Sequence, residues 1–167
     1  MPIVYEGRVF SVEVNTVRLP TGNEHEVAVV HHRPAVVLIP MQDTDHVILV
    51  RQYRHSVRRE LWELPAGSVD AGETAESAAV RECEEEIRLV PDRVERICAL
   101  YPTPGYCDEE MIFFRVSELR APAPGSPHKP DDDEDIVAQS FTIAEARAMV
   151  AGGEIVDLKS AYGLTLI

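Results

Sequence analysis

Short apolar or alternating runs fill the first third of the chain. Val9 to Val14, Glu26 to Val30, Ala35 to Ile39 and Val47 to Arg51 are rich in β-branched residues, and Pro20-Thr21-Gly22-Asn23 and the stretch Met41 to His46 punctuate them. This pattern predicts strands, several paired as sequence neighbours. From Thr74 to Leu89 the period changes. Ala75, Ala79, Cys83 and Ile87 recur on one face while Glu76, Glu82, Glu85 and Glu86 fill the other, which predicts an amphipathic helix with Thr74 as its N-cap. Two further strands are expected over Val94 to Tyr101 and Met111 to Val116, joined by the loop Pro102 to Glu110. Ala121 to Asp135 is rich in Pro and Gly and ends in the acidic run Asp131-Asp132-Asp133-Glu134-Asp135, so it reads as an exposed loop. A last strand over Ile136 to Phe141, a helix over Ala144 to Val150 ended by Gly152-Gly153, and a short helix over Leu158 to Leu166 complete the pattern. No internal repeat or interdomain linker interrupts it.

Length and charge narrow the function classes. A chain of 167 residues is one domain's worth of protein and can bury a core without a disulfide or structural metal. With 16 basic and 29 acidic residues the net charge is −13, and no long basic stripe offsets it, which excludes a nucleic-acid partner. The opening Met1-Pro2-Ile3-Val4-Tyr5-Glu6 lacks the basic, then apolar, order of an export signal, and nowhere does an apolar run reach membrane-spanning length. No membrane partner is expected, and the cytoplasm is the expected compartment. Cys83, Cys98 and Cys107 are odd in number and lack CxxC spacing, so they read as free thiols.

The chemistry concentrates between Gly67 and Leu89. On a helix Glu82, Glu85 and Glu86 stand at i, i+3 and i+4, so three carboxylates share one face, and Arg81 can pair with only part of them. A hard divalent cation would compensate such a cluster; the wet face of an ordinary amphipathic helix is the alternative. His31-His32 lacks metal-ligand spacing. Arg51, Arg54, Arg58 and Arg59 form the densest basic cluster, in which Arg58 and Arg59 also suit plain surface charge. Tyr106 could stack on a base or pack, and Phe114 suits packing.

The spacing of Gly67, Glu73, Arg81, Glu82, Glu85 and Glu86 resembles the Nudix box, G-x5-E-x7-R-E-U-x-E-E-x-G-U with U apolar. One position departs: the second glycine is Arg88 here, which demands either an altered helix exit or about 1 kcal/mol of strain in a left-handed conformation. Val50-Arg51-Gln52-Tyr53-Arg54, then Leu61 to Gly67, then Pro104 within Tyr101-Pro102-Thr103-Pro104-Gly105, and finally Ala151 to Ile155 are similar to the ADP-ribose and nucleoside-diphosphate-sugar pyrophosphatase branch.

The resemblance implies an α/β fold, the Nudix α/β/α sandwich with a mixed sheet, over residues 35–167, and an N-terminal antiparallel β arm over residues 1–34 that serves dimerisation and substrate binding. It implies that Glu82, Glu85, Glu86 and the carbonyl of Ala66 hold Mg²⁺, with Mn²⁺ as a substitute, while Glu73 and Arg81 orient them. Water would attack phosphorus, with no covalent nucleophile, and split ADP-ribose or a related nucleotide sugar into a nucleoside monophosphate and a sugar phosphate. Glu134 matches the position of a catalytic glutamate on a loop outside the box, with Glu85 as the alternative base. Arg54, Arg51 and Pro104 fall at substrate-side positions. A homodimer exchanging its arms is expected, since Val9 to Val14 would otherwise be an exposed edge. Other nucleotides, such as GDP-mannose or an oxidised nucleotide, and a non-catalytic nucleotide-sugar-binding module are the alternatives.

Overall fold

The structure, a computed structural model, describes residues 2–126, 128 and 136–167. Strands β1 (Ile3–Glu6), β2 (Phe10–Arg18) and β3 (Glu24–His32) form an antiparallel sheet of their own. A four-stranded sheet follows in the order β7 (Ala66–Ser68), β4 (Ala35–Pro40), β9 (Met111–Arg120), β8 (Val90–Leu100). It is mixed, because β4 runs parallel to β9 while the other pairings are antiparallel. The third sheet has β5 (His46–Arg54) between β10 (Val137–Thr142) and β6 (Arg59–Glu63). Helix α1 (Ala75–Ile87) lies on one side, α2 (Ile143–Gly152) and α3 (Leu158–Gly163) on the other.

Strand alternation explains how one set of strands serves two cores. Val36 and Leu38 of β4, Ile48 and Val50 of β5, and Ile112 and Phe114 of β9 face α1, packing on Ala78, Ala79, Cys83 and Ile87. The intervening Val37, Ile39, Val47, Leu49 and Phe113 face α2 and α3, against Ala146, Met149 and Leu164. Strands covered on both faces lose the polar alternation of a half-solvated sheet, which is why all of β4 is apolar. Phe114 is fully buried, so it packs. This is the expected α/β/α sandwich.

The expected elements all appear, with shifted ends, and β1, β6 and β7 are additions. Thr74 caps α1 as expected: its Oγ1 accepts from Ser77 N at 3.1 Å, and Ser77 Oγ accepts from Thr74 N at 3.1 Å. On the polar face of α1 the solvated alternative fails for two of the glutamates. Glu82 and Glu86 are only 8% and 6% exposed, so that face is turned inward onto β7 rather than solvated.

At the departing position, Arg88 ends α1 with φ 58° and ψ 32°, and its N–H donates to Glu84 O. The exit keeps the left-handed turn and accepts the strain; Arg88 Nη1 also donates to His128 O at 3.1 Å. Arg88→Gly removes the Cβ penalty of that conformation, about 1 kcal/mol after the entropy of the added glycine, against one weak exposed hydrogen bond. Calorimetry should show Tm rising by roughly 2–4 °C. A fall in Tm would mean that the His128 contact outweighs the strain.

The arm joins the rest through β3. Val30 N donates to Tyr106 O at 2.7 Å, Asp108 N to Val30 O at 3.1 Å, and His32 N to Asp108 Oδ1 at 2.8 Å. His31 sits between Asp108 Oδ2, 2.6 Å away, and Glu13 Oε2, 3.0 Å away, and these two carboxylates raise its pKa. The His pair is thus a structural tie.

Candidate active site

A cleft of about 630 Å³ opens between α1, the Ala66–Ser68 strand, the arm and α3. Its acidic wall follows from the helix register. Glu82, Glu85 and Glu86 project toward β7, and Arg81 stands among them. Arg81 Nη1 donates to Glu82 Oε1 at 2.6 Å and to Glu85 Oε2 at 2.8 Å. Its Nε and Nη2 donate to Glu73 at 3.1 and 3.0 Å, and Nη2 also to Ser68 O at 2.9 Å. Glu73 Oε2 in turn accepts from Asp70 N at 3.1 Å. The guanidinium therefore stitches the loop from Ser68 to Glu73 onto the helix, and its hydrogen bonds hold the Glu73 carboxyl below the usual range.

Gly67 and Ala66 meet the same carboxylates. A Cβ built on Gly67 would overlap the carboxylate of Glu82, so glycine there is what lets Glu82 hold its present position. Ala66 N donates to Glu86 Oε2 at 3.2 Å. Ala66, Glu82, Glu85 and Glu86 all line the cleft.

Glu73, Glu82 and Glu85 share the Arg81 guanidinium and Glu86 stands beside them on Ala66 N, so four carboxylates crowd one site, and Glu82 and Glu86 are almost inaccessible to water. Hard oxygen donors gathered in this way fit a divalent cation of the Mg²⁺ class. In their present rotamers Glu73, Glu82 and Glu85 turn to Arg81, and among the described residues no three His, Cys, Asp or Glu groups converge as a ready-made cage. Burial pushes the Cys83 thiol up to about 12, helped by Glu86 and Glu84, so it is no thiolate nucleophile at neutral pH.

The cleft also has a basic lining, and sequence reading found only part of it. Arg54 lines the cleft, as does Lys159 of α3, with Arg33 and Arg8 contributed by the arm side. Arg33 Nη1 bridges to Asp70 Oδ1 at 2.9 Å. Arg51 is placed differently: its guanidinium carbon lies 5.6 Å from the centroid of Trp62, and its Nε 3.7 Å from Glu60 Oε2. Pro104 lies in an exposed turn closed by Tyr106 N and Cys107 N donating to Thr103 O, beside the arm. Neither Arg51 nor Pro104 is among the residues that line the cleft. Glu134 lies outside the described residues. Glu63 and Lys159 had no sequence signal, since their pairing joins chain segments far apart.

The NUDIX domain family matches residues 31–158. The chain is 32% identical over 161 residues to an ADP-ribose pyrophosphatase of Bacillus subtilis (strain 168), covering 96% of this chain and 86% of that protein. To an ADP-ribose pyrophosphatase of Mycobacterium tuberculosis it is 34% identical over 165 residues, or 98% and 79% of the two chains. A crystal structure described as an ADP compounds hydrolase superposes with a TM-score of 0.85 at 22% identity, over 99% of this chain and 88% of the other, which bears on the fold alone. With matches running nearly end to end, and the box carboxylates gathered on one cleft, the chain belongs to the Nudix hydrolase family.

Proposed function

We propose that the protein hydrolyses the diphosphate linkage of ADP-ribose or a closely related nucleoside diphosphate sugar, with Mg²⁺ as the natural ion and Mn²⁺ as a working substitute. The observation that carries this reading is one cleft lined both by the carboxylates of Glu82, Glu85 and Glu86 and by the cations of Arg54, Lys159 and Arg33. A diphosphate needs both: cations of the protein for its outer oxygens, and carboxylates to retain an ion that neutralises the rest. Such an ion, held by Glu82, Glu85, Glu86 and the Ala66 carbonyl, supplies Lewis acidity and lowers the pKa of the attacking water. Glu73 and Arg81 tie the loop from Ser68 to Glu73 onto the helix that carries the three glutamates. The two ADP-ribose pyrophosphatase relatives support the choice of substrate.

Glu134 is the proposed base that orients the water, with Glu85 as the alternative. Glu134→Gln should lower turnover by about 10²- to 10⁴-fold while metal binding survives, and an activity within twofold of the parent would retire the assignment. The arm, residues 1–34, is proposed to serve dimerisation and substrate binding. Arg8 and Val9 reach the cleft, while Ile3, Val4 and Tyr5 are half exposed on the edge strand. Among the described residues no helix is long and apolar enough to cross a membrane, and the three cysteines are free, which suits the proposed cytoplasmic setting.

The testing experiment is chromatography of products from ADP-ribose, ADP-glucose, GDP-mannose, NADH and 8-oxo-dGTP with Mg²⁺ or Mn²⁺. AMP and ribose 5-phosphate should form fastest from ADP-ribose. Another best substrate moves the specificity, and binding without turnover turns the reading toward a sensor.

A further inference from the structure

Beneath the basic lining lies a carboxylate outside the family's box. Glu63, the last residue of β6, is 1% exposed and accepts from Arg54 through both oxygens, Nε to Oε1 and Nη2 to Oε2, each at 2.7 Å. Lys159 Nζ, on a side chain 8% exposed, also donates to Glu63 Oε2, and to Asp157 Oδ2 at 2.9 Å. Asp157 caps α3, accepting from Ser160 N at 3.0 Å, and Ser160 Oγ accepts from Leu64 N at 2.6 Å. A continuous chain of bonds thus runs from the end of β5 through the end of β6 to α3. Burial pushes the Glu63 carboxyl up, but the bonds from Arg54 and Lys159 hold it below the usual range, so it stays ionised.

Glu63 joins Arg54 to Lys159, which Asp157 also holds, and the donors that these carboxylates leave free can serve a ligand. The Nε edge of Arg54 is committed to Glu63, which leaves Nη1, and Lys159 has a third proton; both residues line the cleft that Glu82 and Glu86 also line. We propose that Glu63 is a positioning residue that holds Arg54 and Lys159 as a fixed two-cation clamp for the substrate's diphosphate. This rests on the reading of the substrate as a diphosphate. The fork geometry makes the arrangement rigid: a bidentate carboxylate fixes the guanidinium plane, and the bond to Lys159 fixes the distance between the cations.

The test uses the full chain, with Glu63→Gln and Glu63→Asp each made in the parent and in an Arg54→Ala background. Glu63→Asp keeps the charge that α3 and β6 need for folding but withdraws the carboxylate by one methylene. Thermal melts confirm folding, ADP-ribose kinetics give KM and kcat, and calorimetric titration with inorganic pyrophosphate in EDTA reads the clamp without metal or turnover. Each Glu63 variant should raise KM and weaken pyrophosphate binding by about tenfold, with kcat within about threefold, and should cost clearly less once Arg54 is gone, when only Lys159 is left to hold. A merely structural role would instead lower Tm and the active fraction, leave KM alone, and act equally in both backgrounds. If Glu63→Gln fails to fold, Glu63→Asp decides. KM and pyrophosphate affinity within twofold of the parent would overturn the clamp even where ADP-ribose is a good substrate. If the parent binds pyrophosphate through Glu63 but hydrolyses no diphosphate, the clamp stands and the proposed reaction falls. If it neither binds nor hydrolyses, both fall.

Discussion

Glu86→Gln is expected to cut turnover of ADP-ribose by about 10³-fold or more while the fold survives, the equivalent of about 4 kcal/mol of lost stabilisation at the reacting phosphate. The substitution is nearly isosteric. A glutamine amide oxygen can still accept from Ala66 N, which lies 3.2 Å from Glu86 Oε2, so the buried helix face keeps its bond to β7. What disappears is a charge, and the charge is what a Mg²⁺-class ion requires. Because the amide keeps that bond, the metal-free Tm should stay within a few degrees of the parent. Two readings separate the cause. The parent should gain Tm with millimolar Mg²⁺ or Mn²⁺, since an ion that binds only the folded state stabilises it, and the variant should lose most of that gain. A variant with turnover within tenfold of the parent would remove Glu86 from the proposed ligand set.

The box residues could be read in advance because a helix fixes its own spacing: once Thr74 to Leu89 is helical, Glu82, Glu85 and Glu86 share a face whatever surrounds them. What the spacing could not say is which way that face turns. Glu82 and Glu86 are as buried as many apolar side chains because the chain returns to lay Ala66 and Gly67 against them, and that contact depends on β4 pairing with β7. Strand β7 itself was illegible. Ala66, Gly67 and Ser68 carry no β preference, and only pairing to Val36 and its neighbours makes them a strand. For β6 the charges of Arg59, Glu60 and Glu63 hid a strand that the hairpin with β5 imposes. Arg54 was visible in a motif, whereas its partner Glu63 became meaningful only when α3 brought Lys159 across the fold. Arg88 shows the reverse case. The departure from glycine was plain in the sequence, and the strained exit that it implies is the one the helix takes.

Gly67→Ala is the sharper test of that geometry, because it adds a single methyl and changes no charge. The new Cβ would coincide with the carboxylate of Glu82, which is the far end of a flexible side chain, so the backbone need not move; Glu82 swings aside instead. The fold therefore loses little. Glu82 gives up a 2.6 Å bond to Arg81, while Arg81 retains Glu73, Glu85 and the carbonyl of Ser68. The loss for the proposed reaction is large, since a ligand displaced by an ångström or more no longer shares an ion with Glu86, and misplacement of that size costs about 10²-fold. Expected results are a Tm within a few degrees of the parent, a turnover lower by about 10²-fold or more, and a weakened Mg²⁺ or Mn²⁺ effect on Tm. The pairing of the two effects is what discriminates. Loss of Tm and activity together would mean that β7 itself had shifted. Retained activity would mean that Glu82 has room beside a methyl, and that the close approach of Gly67 serves packing and not the ion.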